Sequence, residues 1–92
     1  MTAETIRRRV VVEGRVQGVA FRDATQRHAS SRGVAGWVTN RPDGAVEAVF
    51  EGEPDAVRSM LDFVREGPRA ADVDRVDEHE EEPEGLSSFH VQ

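Results

Sequence analysis

Cysteine is absent from these 92 residues, and so is lysine: all twelve basic residues are arginine. Without cysteine the chain forms neither a disulfide framework nor a thiolate metal site, and redox chemistry leaves its compartment undecided. The missing lysine reads as a compositional habit, with a marginal case for salt adaptation. Aromatics are scarce, with one tryptophan, four phenylalanines and no tyrosine. Together with a net charge of -6, that scarcity argues against nucleic acid as a partner. Long apolar runs are missing too. The valines Val10, Val11 and Val12 behind Arg7, Arg8 and Arg9 are too few for the apolar core of a secretory signal. No run approaches a membrane span, so a cytoplasmic chain without a membrane partner is expected. The length suits one domain over 1–92, burying roughly 60–70% of its unfolded surface, with residues 1–6 a loose tail.

What is present is unevenly charged. Residues 1–45 carry eight arginines against four acids, and residues 46–92 carry four arginines against fourteen acids. An acidic protein repels anions at long range, so any anion site needs a local basic patch. Arg7, Arg8, Arg9, Arg15, Arg22 and Arg41 are the candidates to supply it.

Hydrophobic periodicity divides the chain into short elements. Residues 7–13 read as a strand, with Val10 and Val12 on one face. Phe21, Ala24, Thr25 and Ala29 recur at helical spacing, and Gly33 is a good stop. Residues 34–40 form a second strand, with Val34 and Val38 sharing a face and Trp37 assigned to core packing. Arg41-Pro42-Asp43-Gly44 is a hairpin turn. Val46, Ala48 and Phe50 then alternate with Glu47, Val49 and Glu51, as in a half-buried antiparallel strand. Val57, Met60, Leu61 and Val64 mark the clearest helix, opened at Pro54 and ended by Gly67-Pro68. Residues 71–78 are a fourth strand, in which the three-residue gap from Val73 to Val76 predicts a bulge or an early end. Residues 78–85 read as an acidic connection, and Phe89 and Val91 as a short final strand. The order β-α-β-β-α-β plus a short β predicts an α+β, ferredoxin-like α/β sandwich, an antiparallel sheet with two helices on one face.

The stretch Gly14-Arg15-Val16-Gln17-Gly18-Val19-Ala20-Phe21-Arg22 joins the first strand to the first helix. A glycine-bearing turn there exposes backbone N–H groups at the positive end of the helix dipole, and Arg22 adds a planar charge suited to a phosphoryl group. Taken alone, such a turn is more often plain structure than a binding site. Asn40 alone is more often a strand-end residue. Trp37, His28 and His90 read as packing or surface residues, and His79 among glutamates as part of a solvated loop.

Taken together, that loop and Gly36-Trp37-Val38-Thr39-Asn40, followed by Asp43-Gly44-Ala45-Val46-Glu47, resemble the acylphosphatase family over about residues 7–91. The resemblance implies hydrolysis of the carboxyl–phosphate bond of acyl phosphates, with no metal and no cofactor. It implies Arg22 as the phosphate-binding arginine, the backbone N–H groups of Arg15, Val16, Gln17, Gly18 and Val19 as a phosphate cradle, and Asn40 as the holder of the attacking water. Two positions depart from the family pattern. Asp23 stands where an aromatic residue is frequent, and Arg32 where an aliphatic one is common. Asp23 would weaken substrate binding if it faced the site.

The chemistry is consistent from below. The leaving carboxylate has a conjugate acid of pKa about 4, so it departs without a general acid. Charge spreads over the phosphoryl oxygens, where preorganised N–H donors and a guanidinium act. A neutral amide places the water without adding negative charge. The expected partner is a small-molecule acyl phosphate, acted on by a monomer. Two rival readings compete with it: a non-catalytic phosphoryl-binding module of the same fold, and an RNA-binding domain. The second would need stacking aromatics on its central strands.

Overall fold

The computed structural model describes residues 4–92. Five strands and two helices alternate along the chain: β1 (Ile6–Arg15), α1 (Phe21–Ser31), β2 (Ala35–Asn40), β3 (Val46–Gly52), α2 (Pro54–Glu66), β4 (Asp72–Glu81) and β5 (Phe89–Val91). The strands form one sheet in the order β4-β1-β3-β2-β5. Its three inner pairings and register make a split βαβ arrangement, with β1 antiparallel to β3 and β4, and β3 antiparallel to β2. The expected antiparallel sheet is present in these pairings, and the short final strand adds one parallel pair. β5 runs parallel to β2, because the connection from β4 crosses the sheet's open face before β5 begins.

Both helices pack on the same side, α1 over β2 and β5, and α2 over β4, β1 and β3. Each buries the stripe its periodicity predicts: Phe21, Ala24, Thr25 and Ala29 in α1, and Val57, Met60, Leu61 and Val64 in α2. These meet Val10, Val12, Val38, Val46, Ala48 and Phe50 in one core. Burying each such side chain contributes about 1.5–3 kcal/mol. α2 is capped by the Glu53 carboxylate, which accepts from the N–H groups of Asp55 and Ala56, with Pro54 in the first turn.

Several expectations are revised. The part of the loose tail at residues 1–3 lies outside the described residues, and Ile6 already pairs with Gly52. β4 does not end at residue 78. It continues through Glu81, and the acidic connection shrinks to 82–88. The acids of that run lie opposite β1, Glu80 facing Arg8 and Glu81 facing Arg7, so a stretch that looks solvated is paired. The bulge is present. The β1–β4 register shifts between Glu13 and Gly14, leaving Asp74 without a partner. Gly14 has φ +129°, and a Cβ there would collide with the Asp72 carbonyl, so only glycine fits. Trp37 is not in the core. It is half-buried on the open face, opposite Val49. No described helix is long and apolar enough to cross a membrane.

Candidate active site

The register of the central strands gathers the predicted site residues at one end of the sheet. Val12 pairs with Val46, and Val46 pairs with Asn40, so Asn40 lies level with the end of β1, where the loop leaves. Alternation along β2 puts Asn40 on the face of Val38, the helix side. β5 sets Val91 beside Val38, and the Gln92 N–H donates to the Val38 carbonyl at 2.8 Å. Arg22 reaches in from α1 and donates from Nη1 to the Gln92 carbonyl at 2.7 Å. Arg22 and Asn40 therefore lie at the same end of the sheet, although they belong to different elements.

The loop between them has a defined shape. Arg15 is the last residue of β1, opposite Asp72, and the free turn begins at Val16. Val16 is 1% exposed and plugs the loop into the core, while Gly18 is exposed with φ +74°. Ala20 has φ 59° and ψ 26°, the only non-glycine with positive φ among the described residues. This left-handed conformation costs about 1–2 kcal/mol for an L-residue. Strain of that kind concentrates at functional turns. Unlike α2, α1 has no side-chain cap at its N-terminus. Its first N–H groups and dipole therefore face the turn, the arrangement that suits an anion.

Gln17 ties the loop to the hairpin. Its Nε2 donates to the carbonyls of Arg41 at 2.8 Å and Ala45 at 2.9 Å. The hairpin itself is braced. Arg41 N–H donates to Ala45 O and Gly44 N–H to Arg41 O, and Asp43 Oδ1 accepts from the Ala45 N–H at 3.0 Å. That Ala45 N–H leads, burial opposes it, and the Arg41 guanidinium adds to the lowering, so the Asp43 carboxyl is held below the usual carboxylate range. The spacing between the 15–20 loop and the hairpin that follows Asn40 is thus set by side chain as well as backbone. Asn40 Oδ1 is the one buried side-chain polar atom without a hydrogen-bond partner among the described residues. Leaving such a group unpaired costs about 1–3 kcal/mol, which sets Asn40 apart from the other buried polar side chains.

The basic patch is smaller than the sequence suggests. Arg7, Arg8 and Arg9 do not contribute. They occupy the opposite end of β1, Arg7 lying roughly 26 Å from Arg15 at about 3.3 Å per residue, and all three are paired with carboxylates. Arg41 is paired with Asp43 at 3.1 Å. Asp23 is exposed and makes no ion pair with Arg22, which donates instead to Gln92. Arg32 at the end of α1 donates to Ser59 at 2.7 Å. No histidine stands at the site. His28 stacks on Phe63 at 4.0 Å, His79 lies exposed on β4, and His90 is exposed beside Ser88. Among the described residues no group of three or more potential ligands gathers to hold a metal ion. The Gln17 side chain and the Gln92 carbonyl were not anticipated, since nothing near them in sequence announces partners 24, 28 and 70 residues away.

The architecture has known counterparts. The family model described as Acylphosphatase matches residues 8–91. The chain is similar to an acylphosphatase of Gloeobacter violaceus, 54% identical over 89 residues, 97% of this chain and 96% of that protein. It is also similar to one of Thermococcus kodakarensis, 49% identical over 86 residues and 94% of each. The crystal structure of acylphosphatase from Bacillus subtilis matches the fold with a TM-score of 0.91 at 39% identity, covering 95% of this chain and 98% of that one. With a family match over residues 8–91 and relatives about half identical over nearly the whole chain, the chain belongs to the acylphosphatase family of hydrolases.

Proposed function

We propose that the loop at 15–22 and Asn40 form the centre at which this acylphosphatase cleaves the carboxyl–phosphate bond of small acyl phosphates. Backbone N–H groups of Arg15, Val16, Gln17, Gly18 and Val19 cradle the phosphoryl oxygens, and the Arg22 guanidinium neutralises their charge. Asn40 holds a water in line with the scissile bond. The water oxygen bonds to phosphorus as the bond from phosphorus to the acyl oxygen breaks, and its electron pair leaves with the carboxylate. The water's proton passes to a phosphoryl oxygen, giving inorganic phosphate. The leaving group is the weak base of an acid with pKa about 4, so neither a general acid nor a metal is required to expel it. The catalytic contribution is electrostatic preorganisation, and one such donor is worth about 3–4 kcal/mol at the transition state.

The observation that carries this reading is the buried, unpartnered Asn40 Oδ1, at the same end of the sheet as Arg22. The proposal includes a monomeric cytoplasmic enzyme of one domain, acting without metal or organic cofactor. Benzoyl phosphate hydrolysis in excess chelator tests it. Arg22→Ala is expected to lower kcat/KM by about 10²–10³ and Asn40→Ala to lower kcat by about 10², the latter with inorganic phosphate binding unchanged. Activity abolished by chelator overturns the metal-free mechanism, and an Asn40→Ala enzyme as fast as wild type removes Asn40 from it. Phosphate binding to Arg22→Ala as tight as to wild type moves the phosphate site elsewhere.

A further inference from the structure

Glu51 stands apart from the other acids. It lies on the open face of β3 and is only 2% exposed, where a carboxylate requires partners. It has four. Oε2 accepts from Arg7 Nη1 at 2.8 Å and from the Glu84 N–H at 3.0 Å, and Oε1 accepts from the N–H groups of Gly85 at 3.0 Å and Leu86 at 3.1 Å. Arg7 is itself anchored by Glu81 at 2.8 Å and Glu84 at 3.1 Å. Three consecutive backbone N–H groups of the β4–β5 connection thus converge on one side chain, while every side chain from 82 to 88 is exposed.

The clamp fixes the approach to β5. That strand has three residues and lies at the sheet edge, so it is the element most prone to local opening. Beyond the clamp the Ser88 carbonyl accepts from Gly36, the ladder runs to Val91, and Gln92 closes on Val38. The Gln92 carbonyl then receives Arg22. We propose that Glu51, with Arg7, is a positioning residue for Arg22. By pinning 84–86 it seats β5, and through the Gln92 carbonyl it holds the guanidinium in the orientation that phosphoryl binding uses. An arginine oriented in advance loses less freedom when the anion arrives. The inference rests on Arg22 being the phosphate ligand.

A double-mutant cycle tests it. Glu51→Gln preserves volume but replaces an acceptor oxygen with an NH2 among donors. Inorganic phosphate inhibition and benzoyl phosphate KM and kcat are measured well below the melting temperature, in wild type and in the Arg22→Ala background. Glu51→Gln is expected to weaken phosphate binding and raise KM about three- to tenfold when Arg22 is present, with a smaller change in kcat. It is expected to leave phosphate binding unchanged when Arg22 is absent. An equal loss in both backgrounds makes Glu51 merely structural, and no loss in wild type overturns the proposal. Phosphate affinity undiminished by Arg22→Ala itself overturns the reading beneath it instead. Should Glu51→Gln not fold, Glu51→Asp keeps the charge beside Arg7 but shortens its reach to the 84–86 N–H groups. The same Arg22-dependent loss is expected there, and phosphate affinity unchanged in that variant overturns the proposal.

Discussion

Arg7 and Arg22 stand near the two ends of the same strand–turn–helix unit, in opposite surroundings. Arg7 is 6% exposed and contacts Glu51, Glu81 and Glu84. Arg9 beside it contacts Glu47 and Glu81. At the other end neither Arg15 nor Arg22 has a side-chain carboxylate within ion-pair distance among the described residues, and Arg22 donates to the main-chain oxygen of Gln92 at 2.7 Å. The same residue type therefore serves two purposes. Buried guanidiniums with full carboxylate complements hold strands and connection together and present no net attraction to an anion. Guanidiniums without side-chain carboxylate partners beside an uncapped helix N-terminus, Arg15 exposed and Arg22 half-buried, keep their charge available, so a protein of net charge -6 still presents a positive end.

The largest effect that would break this contrast is on stability. Arg7→Ala leaves the Glu51 carboxylate buried without its cation, and removing one partner of such a pair costs about 3–5 kcal/mol. Arg22→Ala removes no buried partner and is expected to stay within about 0.5 kcal/mol of wild type, losing activity instead. Urea denaturation of the two variants separates them. Equal stabilities would mean that the two ends do not differ in the way described.

The sequence disclosed these ends unequally. Elements governed by local spacing were legible: the stripes of α1 and α2 contain the residues that periodicity selects, and the Asp43-Gly44 turn sits where its chemistry requires. Arg22 and Asn40 stand out in the sequence only through a resemblance that joins two motifs, since neither is diagnostic alone, and their roles stay with the proposal. The arginine–glutamate end is not legible in the same way: Arg7, Arg8 and Arg9 read as part of a basic patch, and residues 78–85 as an acidic connection. Each half of that pattern looks unpaired by itself, and the pairing becomes visible only when a strand lies against another 74 residues away, as Arg7 does against Glu81. Gln17 was assigned a backbone role alone because its acceptors, the carbonyls of Arg41 and Ala45, lie on another hairpin.

An intermediate effect sharpens the contrast at the catalytic end. Gln17→Leu removes two hydrogen bonds whose acceptor carbonyls keep other donors, Gly44 N–H on Arg41 and Arg41 N–H on Ala45. The stability cost is therefore about 1 kcal/mol. The activity cost is larger, because the side chain spaces the cradle from Asn40. A misplacement of about 1 Å costs on the order of 10²-fold, so kcat/KM is expected to fall about 10- to 100-fold. A kinetic loss no greater than the change in folded fraction would show that backbone alone sets the spacing.

The smallest effect is on the pH dependence of the paired end. For Glu51, burial is the largest single influence and pushes the carboxyl up. The N–H of Glu84, the Arg7 guanidinium and the N–H groups of Leu86 and Gly85 together outweigh it, holding the group below the usual carboxylate range. For Glu81 the Arg7 hydrogen bond leads, burial opposes, and Arg9 adds to the lowering. A carboxyl whose folded pKa lies below its unfolded value contributes stability that is complete above the ordinary carboxylate pKa of about 4.3. That contribution disappears as pH falls through the folded value, because the native state must then take up protons the unfolded chain already holds. The melting temperature is therefore expected to be flat from pH 7 to about 5 and to fall below about 4. In Glu51→Gln one proton-linked contribution is gone, so its curve starts lower and falls less steeply. The gap between the two proteins narrows toward acid. Parallel curves across that range would mean that the Glu51 carboxylate adds nothing to the fold as a charge, leaving packing alone to distinguish the two ends of β1.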